Sequence, residues 1–233
     1  MNLTELFRRL SYGELSNLSI GGEGSGSIPE AARPKLVSYL NTALLRVYSK
    51  FVLKESSLVI ECQEWITNYH LTGKFALTAK PIDGITRYIQ DHAGDPFQDD
   101  VIKVLDVLNQ EGERVGLNDN KTVRSVFTPQ PNVLQVPQPV QGYVLSVLYQ
   151  ARHVPISYTD MEACIEIPAV LEEALQMFMA HLVFFHMNGQ DNGIKAAGYM
   201  KNYEISCATI TDRDLVNSSV SETSSKFNER GFV

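Results

Sequence analysis

Three stretches of the chain repeat apolar residues at the 3.6-residue period of an amphipathic helix. This pattern predicts long helices over about 28–52, 168–188 and 191–210. Pro29 suits the start of the first helix, and Asn188-Gly189 favours an end to the second. Six apolar residues on the first two helices are expected to form the core: Leu40, Leu44, Val47, Leu175, Phe178 and Leu182.

The region between the first and second helices has a different pattern. Short runs of alternating Val, Leu and Ile, such as Val101–Leu108, are typical of β-strands. Four prolines at positions 129, 131, 137 and 139 separate the later runs and exclude a continuous helix. Pro81 favours a short helix extending to about Ile89. We therefore expect a β-rich insertion over about 55–160.

The two ends of the chain lack a long periodic segment. Leu3, Leu6, Phe7 and Leu10 have helical spacing, but the run from Ile20 to Ser27 holds four glycines in eight residues. Such a run predicts a flexible linker, or a loop that becomes ordered against a partner. The last stretch, 213–233, is polar and rich in serine, so we expect it to be extended.

These patterns together predict an α+β protein, a helical bundle of three long helices with an inserted β-rich lobe and an extended C-terminal tail. Residues 1–27 would form an N-terminal arm and glycine-rich linker. Residues 28–212 would form the main domain, and 213–233 the tail.

Composition and charge narrow the class of protein. Of 233 residues, 44% are hydrophobic and 20% are charged, which is ordinary for a soluble globular protein. A net charge of −7 argues against extensive electrostatic binding of nucleic acid but does not exclude a local basic strip. Three cysteines lie far apart without metal-ligand spacing, which fits a reducing compartment. We expect no signal peptide and no membrane segment.

The sequence offers little that resembles a catalytic or metal site. His181 and His186 are five residues apart, so one helix would not place them on the same face. The acidic run from Asp95 to Asp100 lacks the glycine and glutamate of a calcium loop. No Gly-x-Ser-x-Gly elbow occurs. We therefore predict no catalytic residues, no cofactor and no metal, and a protein that is not an enzyme.

Four segments resemble one group of proteins. They are Leu10-Ser-Tyr-Gly-Glu-Leu-Ser-Asn17, the stretch from Asn41 to Phe51, the strand block from Phe127 to Ala151, and the C-terminal Asn228-Glu-Arg-Gly-Phe-Val233. Together with the layout of helices and β-rich insertion, they are similar to the head-to-tail adaptors of tailed bacteriophages, also called connectors or head-completion proteins, of the podovirus type. The likeness extends over nearly the whole chain.

This resemblance implies a structural virion protein in the neck and tail, made in the host cytoplasm during assembly. Its copies would form a ring, a dodecamer to match the portal, and its partners would be the portal protein, a tail or nozzle protein and itself. DNA would pass through the lumen without specific binding. A mildly acidic chain suits that task because it repels phosphate.

The tail contains sparse apolar residues that we expect to dock on the portal: Leu215, Val216, Phe227, Phe232 and Val233. The alternative is a terminus that contacts nothing. Two other functions stay open at this point. One is a different neck or tail-completion component, and the other is a cell-wall hydrolase.

Overall fold

The computed structural model describes residues 1–216. The chain divides into two compact units. One consists of Met1–Leu53 together with Pro155–Val233, and the other of Lys54–Val154. We call them the helical unit and the β unit.

The described part of the helical unit contains four α-helices. They are α1 (Leu3–Tyr12), α2 (Arg33–Lys50), α3 (Glu172–Phe185) and α4 (Gln190–Asp212). Short 3-10 turns occur at Ser19–Gly21, Glu30–Ala32 and Ala169–Leu171. Helix α3 packs against both α2 and α4.

The core of the helical unit forms where these helices meet. Five of the six residues expected there are buried: Leu40, Leu44, Val47, Leu175 and Phe178. The sixth, Leu182, is half-buried. The 3.6-residue period therefore located the buried faces of α2 and α3 nearly completely.

The prediction of a three-long-helix bundle is wrong, although the α+β class is consistent with the structure. A fourth helix, α1, belongs to the helical unit and fully buries Leu3, Leu6 and Leu10. The Asn2 side chain caps it by accepting a hydrogen bond from the Glu5 backbone at 2.8 Å. An apolar helix face is costly to leave in water, so a ten-residue helix with this pattern joins the core.

Residues near the start of the predicted first helix adopt other structures. Pro29 has φ −56° and ψ 139°, an extended conformation, and α2 begins only at Arg33.

The glycine-rich run, which was expected to be a flexible linker, is hydrogen-bonded to α1. The Ser11 hydroxyl donates to Gly21 O at 2.5 Å and accepts from Gly26 N at 3.0 Å. Ser11 is fully buried, so these bonds hold the run against α1.

The β unit contains seven strands. They are β1 (Glu55–Glu61), β2 (Asn68–His70), β3 (Ile89–Gln90), β4 (Val101–Leu108), β5 (Phe127–Gln130), β6 (Val133–Gln135) and β7 (Val144–Ala151). They form two antiparallel sheets, one in the order β3-β1-β7-β4 and the other in the order β2-β6-β5. The short helix expected after Pro81 is absent, and turns lead from there into β3.

Two buried tyrosines connect the two sheets. The ring of Tyr69 on β2 meets the ring of Tyr88, just before β3, edge to face with centroids 5.0 Å apart. The Tyr88 hydroxyl accepts from His70 N at 2.8 Å and donates to His70 O at 3.0 Å. Because each hydroxyl has backbone partners, these rings are buried without an unpaired polar group.

Candidate interaction surfaces

Helix α2 presents a basic surface. Residues 31–53 contain four basic residues, Arg33, Lys35, Arg46 and Lys50, and no acidic one. Lys35, Arg46 and Lys50 are exposed, and at 3.6 residues per turn they lie within about 60° of each other around the helix. We call these three residues the basic flank.

The basic flank has no charge partner in the part of the chain that the structure describes. Lys35, Arg46 and Lys50 take no part in the salt bridges found there. The two lysines instead lie over aromatic rings, Lys35 Nζ 5.8 Å from the Tyr39 centroid and Lys50 Nζ 5.9 Å from that of Tyr203. Such packing restrains the side chains and leaves their positive charges available to a partner.

The segment that follows the β unit in the sequence is acidic, whereas α2 is basic. Residues 155–194 contain six acidic residues and neither lysine nor arginine. Four of the six are exposed carboxylates before or at the start of α3: Asp160, Glu162, Glu166 and Glu173. We call them the acidic segment. Two large apolar side chains are exposed among them, Tyr158 at 50% and Val170 at 42%.

The acidic segment is bound to the side of α2 that faces away from the basic flank. Asn41 exchanges two hydrogen bonds with the backbone of Ile156, and the Tyr48 hydroxyl donates to Glu166 O. Around the helix, Asn41 and Tyr48 lie roughly 140–160° from Arg46. The helical unit therefore carries positive and negative charge on opposite flanks of one helix.

One line of exposed residues along α4 is largely apolar. Exposed residues recur there in steps of three and four: Ile194, Ala197, Lys201, Ile205 and Ala208. Ile194 is 65% exposed and Ile205 53% exposed, and Lys201 is the single charge among these five. We call the five the α4 stripe. Its spacing is that of a helix packing against another helix.

A cleft of about 500 Å³ lies between the segment after α1 and helices α3 and α4. Its lining includes Glu14, Lys195 and Tyr199. The Glu14 Oε2 atom is buried without a hydrogen-bond partner. Burial raises the pKa of Glu14, and the nearby Glu173 carboxylate raises it further, against a backbone hydrogen bond that lowers it. The cleft thus contains a partly buried carboxyl group whose pKa lies above its ordinary value.

The predicted portal-docking residues are described only in part. Leu215 follows α4, is 48% exposed and donates its backbone N–H to Ile210 O at 3.1 Å. Val216 is half-buried. Phe227, Phe232 and Val233 lie outside the described residues.

His181 and His186 each contact a neighbouring group of the helical unit. His181 Nδ1 lies 2.9 Å from Ala196 O, and the ring of His186 stacks on Tyr39 with centroids 5.3 Å apart. Residues 1–216 contain no group of three or more His, Cys, Asp or Glu placed to hold a metal ion. Within the same range, no helix has both the length and the apolar character needed to cross a bilayer.

The net charge of the whole chain does not reveal the basic flank or the acidic segment. A net charge of −7 averages over a stretch with only basic residues and a stretch with only acidic ones, whereas counting charge segment by segment reveals both.

Comparison with known proteins does not assign the chain to a family. No protein-family model matches it, and no curated protein does.

Proposed function

We propose that this protein is a head-to-tail adaptor, a structural virion protein whose copies form a ring between the portal and the tail of a phage. The proposal combines the resemblance of four sequence segments to that group with the presence of surfaces suited to assembly. In this role the ring extends the DNA channel and completes the head. The protein's partners are then the portal, a tail or nozzle protein and further copies of itself.

The observation that carries the proposal is the α4 stripe. The stripe exposes Ile194 and Ile205 to water, and covering them with another helix lowers the free energy. Helix α4 leads directly into the C-terminal residues 213–233. We therefore assign the stripe, together with the docking residues Leu215, Val216, Phe227, Phe232 and Val233, to the contact with the portal.

The experiment is co-purification with the portal protein of the same phage, followed by imaging of the complex. We expect a ring of adaptor copies on one end of the portal. The double variant Ile194→Glu/Ile205→Glu should fold but lose the portal, because two buried charges would remain unpaired in the contact. Asn202→Glu, exposed on α4 but off the stripe, is the matched control and should still bind.

Two outcomes would redirect the proposal. A ring that joins the tail but not the portal would indicate another neck or tail-completion component. A chain that binds neither, and whose α4 double variant behaves as the wild type in every assembly assay, would exclude the adaptor function.

A further inference from the structure

We propose that the basic flank of one copy binds the acidic segment of a second copy, so that neighbouring subunits join head to tail through opposite sides of α2. The partner is a second copy of this chain. The inference rests on the proposed function in so far as the copies form a ring, and it specifies which surfaces of the helical unit meet in it.

Charge complementarity is the first argument. The basic flank offers Lys35, Arg46 and Lys50 without an acidic neighbour on α2, and the acidic segment offers the exposed carboxylates of Asp160, Glu162 and Glu173 without a basic residue between positions 155 and 194. None of these six side chains takes part in the salt bridges found among residues 1–216. Opposite potentials on two surfaces steer association and fix its register, and like charges facing each other would oppose it.

Geometry is the second argument. The acidic segment is attached to the flank of α2 that carries Asn41, and the basic flank faces the other way. Two complementary surfaces on opposite sides of a subunit cannot satisfy each other within one copy. They satisfy each other between copies, and the resulting contact repeats from subunit to subunit, which is how rings are built.

The composition of the acidic segment is the third argument. Tyr158 and Val170 are exposed among the carboxylates, and Tyr39 lies half-buried beside Lys35 on the other surface. Exposed apolar side chains beside charged ones are common in protein–protein contacts. A duplex DNA backbone would use the basic flank alone and would leave the acidic segment without a role.

The test reverses each surface separately and then combines the products. One variant carries Lys35→Glu, Arg46→Glu and Lys50→Glu, and the other carries Asp160→Lys, Glu162→Lys and Glu173→Lys. A control with the same charge change as the first has Lys80→Glu, Lys103→Glu and Lys121→Glu, all exposed in the β unit. Sedimentation at high protein concentration and low ionic strength measures self-association, since salt screens such contacts.

We expect the wild type and the control to self-associate and each reversed variant alone to do so at least about tenfold more weakly. An equimolar mixture of the two reversed variants should associate again, because each surface then meets its opposite. Circular dichroism of each variant alone measures whether it is folded. Single reversals, Lys35→Glu and Glu173→Lys, repeat the comparison if a triple variant unfolds.

Three results would overturn the inference. They are a wild type that stays monomeric under all these conditions, a mixture of folded reversed variants that does not associate, and a basic flank whose reversal affects only the binding of a duplex DNA probe. Portal binding is measured independently through the α4 stripe. If the mixture does not associate but the wild type binds the portal, the inference about the contact between copies is rejected alone. If the wild type does not bind the portal, the adaptor function is rejected.

Discussion

Asn41 and Ile156, 115 positions apart in the sequence, exchange two hydrogen bonds. Asn41 Nδ2 donates to Ile156 O at 3.0 Å, and Ile156 N donates to Asn41 Oδ1 at 2.9 Å. The Asn41 side chain thereby satisfies both backbone groups of Ile156, as a neighbouring β-strand would, and attaches the segment after the β unit to α2. The position of the acidic segment depends on this contact.

Replacing Asn41 with alanine should destabilise the protein by about 1–3 kcal/mol, because both backbone groups of Ile156 lose their partner in a partly buried place. Urea denaturation followed by circular dichroism measures the change. Thr42→Ala is the matched control, since the exposed Thr42 hydroxyl bonds only to Ser38 O of its own helix. A loss for Asn41→Ala no larger than for this control would contradict the assigned role.

Two glycine-to-alanine changes should have opposite effects. A Cβ atom at Gly21 would lie 2.1 Å from Leu15 O and 2.6 Å from Leu15 Cβ, so the buried backbone must move and we expect a loss of about 1–3 kcal/mol. A Cβ at Gly198, inside α4, meets nothing within 4 Å, and alanine should stabilise the helix by about 0.5–1 kcal/mol. Thermal unfolding of the two variants tests the contrast, and equal effects would refute it.

Glu14→Gln should raise stability at neutral pH and change it less at pH 4. Burial raises the pKa of Glu14 in the folded protein, so its stabilising protonated form is lost as pH rises through that pKa. Glutamine keeps the shape without the buried charge. Denaturant midpoints at the two pH values measure the difference, with exposed Glu23→Gln as the control. A gain that does not depend on pH would exclude the proposed cause.

Removal of the residues after Asp212 should leave the fold intact and abolish binding to the portal. Each apolar anchor that becomes buried contributes roughly 1.5–3 kcal/mol, and repetition around a ring multiplies weak sites through effective concentration. Phe227→Ala/Phe232→Ala tests the anchors without shortening the chain. Retention of the truncated chain by the portal in a pull-down, at the level of the intact protein, would show that these residues have no docking role.

The elements that could be predicted from the sequence are those with a local signal. The apolar period placed α2, α3 and α4 and five of the six expected core residues. The alternation of apolar residues with prolines indicated the β-rich region between α2 and α3 but missed β3, where a short helix was expected. These signals succeed because each residue's burial follows from the geometry of its own helix or strand.

Tertiary structure decided what depends on residues far apart in the chain. The spacing of Leu3, Leu6 and Leu10 revealed a helix but not that the core of the helical unit would bury it. Likewise, no local pattern pairs Asn41 with Ile156, and the placement of bases and acids on opposite flanks of α2 follows from that pairing. Such contacts form only after the chain has folded back over more than a hundred residues, so no short window of sequence contains them.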